Sequence, residues 1–165
     1  MAQLRDLLDH DSYTEVVRLG DRSKILPALL ERSARKLAVD SLVLQLGDNI
    51  KKLRPDELAR KISQEESFML EGARVICTTP AGAQNVADRF KSQWDAIIID
   101  QATQATEPAA LGPLFGVSKS TKVIMVGDPR ILGPGVSNHV KTYGYGQSFW
   151  ERLDRAVPGI SRLLK

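Results

Sequence analysis

An α/β chain, with a parallel sheet flanked by helices, is what this sequence predicts, on three observations. First, the runs "ARVICTT" (73–79), "WDAIIID" (94–100) and "TKVIMVGD" (121–128) have unbroken apolar cores, as strands covered on both faces do. Second, helix signals lie between them, so strand, helix, strand, helix and strand alternate with right-handed crossovers. Third, two of these strands run into aspartate, Asp100 and Asp128, at the edge where open parallel sheets bind ligands.

Taken in order, "AQLRDLLDH" reads as the last turns of an amphipathic helix with Leu4, Leu7 and Leu8 on one face. "TEVVRLG" reads as a short β-branched strand closed by Gly20. From Ser23 to about Leu46 the spacing of Ile25, Leu29, Leu30 and Leu37 fits a helix, although "DSLVLQL" within it fits alternation equally. Pro55 opens "PDELARKISQEESFMLEG", whose acids come early and whose Gly72 offers a stop. Thr79 and Pro80 supply a cap and a first-turn proline before "AGAQNVADRF", and "TEPAALGPLFG" supplies the next helix. There is no internal repeat and no low-complexity stretch.

The 165 residues are 42% hydrophobic and 26% charged, ordinary for a soluble globular protein of one domain. A net charge of +3 and a pI near 9.1 permit nucleic-acid contact without requiring it; a solvated surface with a small Lys/Arg excess accounts for them equally. The single cysteine, Cys77, sits in an apolar run and reads as a small core residue rather than a nucleophile. One thiol forms no internal disulfide, which favours a reducing compartment. No apolar run approaches membrane-spanning length and the N-terminus lacks a signal-peptide core, so a cytoplasmic or nuclear protein is expected.

Two carboxylates at neighbouring strand ends make a compact anionic site. Hard oxygen ligands of that kind suit Mg2+, held through water with phosphates completing the shell. A strand-terminal aspartate standing alone is better read as a cap of the next turn. The text around this pair favours the site.

"IIIDQATQATEP" resembles motif II, the Walker B segment, of superfamily-1 helicases, and "VIMVGDPRILGP" resembles their motif III. "ARVICTTPAGA" is similar to the strand and turn that precede motif II. "VVRLGDRSKI" and "AQLRDLL" are similar to the segment after motif Ia and to the tail of that motif, and "GQSFWERL" to the element after motif III. The nearest subgroup is that of the nonsense-mediated mRNA decay and senataxin-like helicases. The resemblance implies one partial RecA-like domain of the P-loop NTPase type over residues 1–165, from motif Ia to just past motif III. Its parallel sheet would be incomplete, and about 24–70 would form a helical insertion beside nucleic acid. Asp100 would hold Mg2+ on the β- and γ-phosphates of ATP. Gln104 would close motif II near the nucleotide, and Gly127 and Asp128 would form the turn coupling phosphate state to nucleic-acid grip. Thr78, Thr79 and Pro80 would lie near the nucleic-acid path. Arg22, Lys24, Arg32, Arg35 and Lys36 become candidate phosphate contacts; a solvated helical face fits them as well.

The sequence departs from that pattern in four places. Gln101 stands where the helicases carry the glutamate that activates water. An amide orients a water but accepts no proton near neutral pH, and loss of a general base costs a factor of roughly 10² to 10⁴. Ile131 replaces the motif III glutamine. The chain has no G-x-x-x-x-G-K-S/T; "GYGQS" lacks both the lysine and a preceding strand. A second RecA-like domain, with its arginine finger, is also missing.

The expectation is therefore a partial helicase-like ATPase domain, catalytically incomplete on its own, whose parent activity is ATP-dependent unwinding or remodelling of RNA or DNA. It would be the middle of a larger product, a degenerate relative kept for binding, or half of a complex whose partner chain supplies the phosphate loop or a second RecA-like domain. One alternative is a non-enzymatic nucleic-acid- or protein-binding module derived from a helicase. Another is an unrelated α/β phosphate binder with convergent aspartates. An incomplete sheet exposes edge and apolar surface, so marginal stability or self-association is expected.

Overall fold

Prolines open five of the described helical segments. Pro27, Pro55 and Pro80 each stand first, and Pro108 follows Glu107 and Pro113 follows Gly112, in line with the fit of a fixed φ and a missing N–H to the first helical turn. The computed structural model describes residues 16–20, 25–89, 94–115 and 117–162. The N-terminal "AQLRDLLDH" segment, Arg22 and Lys24 lie outside the described residues. Two compact units divide the chain, Met1–Thr79 and Pro80–Lys165.

In the first unit, strand β1 (Val16–Arg18) pairs in parallel with β2 (Val75–Cys77), matching Val17 to Ile76. Leu19 N–H extends the ladder by donating to the Cys77 carbonyl at 2.9 Å. The stretch expected as one helix from Ser23 to Leu46 divides at Ser33. A 3-10 turn, Pro27–Arg32, ends there and helix α1, Ala34–Leu46, begins. Ser33 is buried and makes a parallel bridge to Arg18, so its backbone is extended and cannot continue a helix. The ambiguous "DSLVLQL" is helical. A second 3-10 turn, Gly47–Lys52, leads to α2, Pro55–Gly72, whose bounds are those read from its proline and glycine. Ala38 and Leu42 of α1 pack on Ile62 of α2, and Val39, Leu46, Ile50 and Leu58 surround them.

In the second unit, α3 (Pro80–Arg89) is followed by β3 (Ala96–Ile99), α4 (Glu107–Leu111) and β4 (Lys122–Met125). β3 and β4 pair in parallel with Ile99 opposite Met125. Two short helices close the described chain, α5 (Asn138–Lys141) and α6 (Phe149–Ala156), capped by the hydroxyls of Ser137 and Ser148. Gly112, in the 3-10 turn after α4, packs on α3: a Cβ there would stand 3.6 Å from the Gln84 Cβ.

The parallel α/β character predicted from the sequence is present. The strands, however, form two separate two-stranded sheets, β1–β2 and β3–β4. The apolar runs suggested cover on both faces, yet Ile98 is 68% exposed and Val123 and Ile124 are also open. Among the described residues these two strands have only each other as neighbours, and of this pair only Ile99 is buried. None of the described helices is long and apolar enough to cross a membrane.

The first unit depends on a small core. Leu42→Ala is expected to cost about 2–5 kcal/mol, as large-to-small substitutions at packed sites do. It should appear as a lower denaturant midpoint of helix signal, with the change in slope small.

Candidate functional site

Four register pairs align β3 with β4, and two more hydrogen bonds carry the alignment past the strand ends. Val126 N–H donates to the Ile99 carbonyl at 2.9 Å, and Ala102 N–H donates to the Val126 carbonyl at 2.8 Å. The turn after β3 (100–104) is therefore laid against the loop after β4 (126–128). Asp100 and Asp128 leave the same end of one parallel pair, as the sequence predicted.

Thr103 locks the two segments. It is buried, and its hydroxyl donates to the Asp128 carbonyl at 3.3 Å. Gly127 lies so close that an added Cβ would stand 2.9 Å from the Thr103 Oγ1 and 3.0 Å from its backbone nitrogen. This glycine serves close approach rather than an unusual φ. Sequence reasoning singled out Gly127 but missed Thr103, although it lies inside the "DQATQ" that drew attention.

The carboxylates themselves are held locally. Asp100 is exposed and its Oδ1 accepts the Gln101 N–H at 2.9 Å. Gln101 adopts the left-handed conformation (φ 55°, ψ 38°), which costs a non-glycine residue roughly 1–2 kcal/mol. Its side-chain carbonyl accepts from the Gln104 amide at 3.3 Å, so these two site candidates are joined. Asp128 is gripped by Arg130. Nε and the backbone N–H of Arg130 donate to Oδ1 at 3.0 and 2.9 Å, and Nη2 donates to Oδ2 at 3.0 Å. The Arg130 side-chain hydrogen bonds, then its N–H, hold the Asp128 carboxyl below its usual range, and the guanidinium is raised in turn.

A hydrated Mg2+ suits these residues in part. Asp100 offers an open, exposed carboxylate. Asp128 has both oxygens committed to Arg130, and no group of three or more His, Cys, Asp or Glu suited to a metal exists among the described residues.

The other site candidates are dispersed. Thr78 and Thr79 follow β2, and Pro80 opens α3. The Thr78 hydroxyl is buried without a hydrogen-bond partner, as is Nε of Arg18. Cys77, beside Thr78, has its thiol pushed up by burial, which makes it a poor nucleophile. Two of the candidate phosphate contacts are already answered by acids: Arg35 by Glu66 at 3.5 Å, and Lys36 by Glu31 at 3.5 Å and by Asp40. For these two the solvated, self-paired face is the better reading. Farther along, Thr106 and Ser148 form an antiparallel bridge, and Arg152 clasps Glu107 through two hydrogen bonds of 2.9 and 2.6 Å.

Residues 31–138 match the family described as "AAA domain". The chain is similar to the ATP-dependent helicase NAM7 of Saccharomyces cerevisiae, 32% identical over 167 residues, covering 92% of this chain and 16% of the relative. It is 32% identical to the probable helicase MAGATAMA 3 of Arabidopsis thaliana over 149 residues, 88% of this chain and 17% of that one. It is 32% identical to the probable helicase senataxin of Homo sapiens over 129 residues, 68% of this chain and 5% of the relative. The chain thus spans less than a fifth of the length of each of these relatives.

Gly127→Ala is expected to force Thr103 and its turn aside and to destabilise the second unit by about 1–3 kcal/mol in denaturant unfolding. Arg130→Ala should move the Asp128 carboxyl titration, followed by carbon-13 NMR, upward toward the ordinary carboxylate range. Because the folded value is depressed, any stability from this pair is present above that range and is lost as pH falls through the lowered value.

Proposed function

The chain belongs to the AAA-domain family, in the superfamily-1 helicase group of nonsense-mediated-decay and senataxin type, and we propose that it forms the coupling part of a helicase-like ATPase domain that does not complete hydrolysis unaided. The observation that carries this reading is the lock between the turn at 100–104 and the loop at 126–128, made by Thr103 and the close approach of Gly127. Packed interiors transmit strain, so a shift of one segment would bear on the other through this contact.

In this reading residues 1–165 form one partial RecA-like domain, with about 24–70 as a helical insertion. Asp100 would hold Mg2+, which would supply charge neutralisation for the ATP phosphates. Gln104 orients the Gln101 amide, and the amide orients a water without taking its proton. Thr78, Thr79 and Pro80, with Arg22 and Lys24 outside the described residues, are each candidate contacts for an RNA or DNA strand. Hydrolysis would also need a phosphate loop and a second RecA-like domain, from the rest of a larger product or from a partner chain. The place of action is cytoplasmic or nuclear.

The Arg130 clasp on Asp128 favours a second reading, a non-enzymatic binding module, because it occupies a carboxylate that a nucleotide site would use. Titration of the purified chain with Mg2+–ATP and single-stranded oligonucleotides separates the two. The first reading expects weak nucleotide binding that Asp100→Ala abolishes, salt-dependent strand binding, and no hydrolysis above background even in Gln101→Glu. Strand binding indifferent to nucleotide and to Asp100→Ala would select the module. Strand-stimulated turnover by the unmodified chain would overturn the claim of incompleteness.

A further inference from the structure

The turn between α5 and α6 and the exposed side of α4 enclose an open groove of about 500 Å³, ample for a nucleobase. Its walls are aromatic: Phe115 is 63% exposed, Tyr143 70% and Tyr145 54%. Pro108 and Leu111 add to its apolar lining, and Glu107 and Gln147 supply polar groups. Three exposed aromatic residues around one concavity make a surface patch that asks for a ligand.

We propose that this groove takes an unstacked base of a single-stranded nucleic acid, with the neighbouring phosphate on Lys141. The proposal rests on the strand binding put forward above and locates part of it in residues that reading does not use. Three features support it. Tyr143 is positioned in advance: its ring stands edge-on to His139 at 5.3 Å. Between them Gly144 takes φ 88°, and the turn is closed by Gly144 N–H on the Lys141 carbonyl at 3.0 Å and Gln147 N–H on the Gly144 carbonyl at 3.2 Å. The glycine-rich "GYGQS" thus serves to present two rings rather than to cradle a phosphate. Second, the one acid of the lining carries its own counter-ion, since Arg152 clasps Glu107, so it does not repel an anionic strand. Third, the Lys141 stem crosses this turn, its Cγ 3.1 Å from where a Gly146 Cβ would lie, and its ammonium makes no ion pair with the described residues. Stacking with a nearby cation is how sequence-tolerant single-strand binders work. A proline-rich peptide also suits an aromatic groove, but it brings no negative charge for Lys141.

The test is fluorescence anisotropy of labelled single-stranded RNA and DNA oligonucleotides with the whole chain, beside abasic strands of equal length. An abasic strand is expected to bind roughly tenfold more weakly than a base-bearing one. Tyr143→Ala with Tyr145→Ala is expected to remove that difference, while Tyr143→Phe with Tyr145→Phe keeps it. Lys141→Ala should lower the slope of log affinity against log salt by about 0.7, one single-strand phosphate contact. The abasic comparison changes only the ligand, so it stands even where a variant folds poorly. Equal binding of abasic and base-bearing strands would overturn the groove and leave the strand-binding reading intact. So would a proline-rich peptide captured in a tyrosine-dependent way while strand binding ignores both rings. Failure to bind any strand at low salt, abasic or not, would overturn the underlying reading itself.

Discussion

Everything at the strand tips depends on the parallel pairing of β3 with β4 and on its continuation through Val126 and Ala102. A parallel pair delivers both chains to the same edge with a fixed offset. Here that offset brings a buried threonine hydroxyl against a glycine with no room for a methyl group. The hydrogen bond from Thr103 is long at 3.3 Å, and a Cβ added at Gly127 would stand 2.9 Å from the Thr103 Oγ1, so the loops meet closely only because position 127 lacks a side chain.

The electrostatics of the same edge are self-contained. Asp128 is neutralised by the residue two positions on, and Asp100 accepts from the N–H of its own successor. Gln101 removes a negative charge that a second acid would place beside Asp100, so no like-charge repulsion acts at that tip. It nevertheless keeps the left-handed backbone that the turn demands, a conformation that glycine would adopt more cheaply. The position thus has the strained geometry of the turn with an uncharged side chain, and the Gln101–Gln104 amide pair joins its two ends.

Much of this was legible in the sequence, and the rest fails for physical reasons. Helix Pro55–Gly72 could be bounded from text because both of its ends carry local chemistry. The break at Ser33 could not, because what ends the preceding turn is a backbone bridge to Arg18, fifteen positions back. Helix Phe149–Ala156 was readable and not read: Ser148 and Glu151 have the spacing of a capping box, and the Ser148 hydroxyl does accept the Glu151 N–H. Lys36 and Asp40 are four apart on a helix and announce their pairing, whereas Arg35 and Glu66 meet only when two helices pack. The Asp128–Arg130 clasp spans two residues and was within reach of a local argument. The aromatic groove was not, since Phe115 and Tyr143 are brought together by the bridge of Thr106 to Ser148 and the clasp of Glu107 by Arg152.

These observations separate two requirements that one motif usually meets together. Proton transfer from a water at position 101 would need a particular atom, a carboxylate oxygen, which an amide does not supply. The fit between the strand tips needs only shape: a small residue at 127, a buried hydroxyl at 103 and an intact ladder beneath them. Shape is enforced by folding itself, because misfitted loops cost stability whether or not any ligand is present. A chemical group exposed at a turn has no such protection; Gln101 lies in solvent, and among the described residues its side chain is held by Gln104. The fit between the two strand tips is therefore fixed by folding, whereas the side chain exposed at position 101 is not.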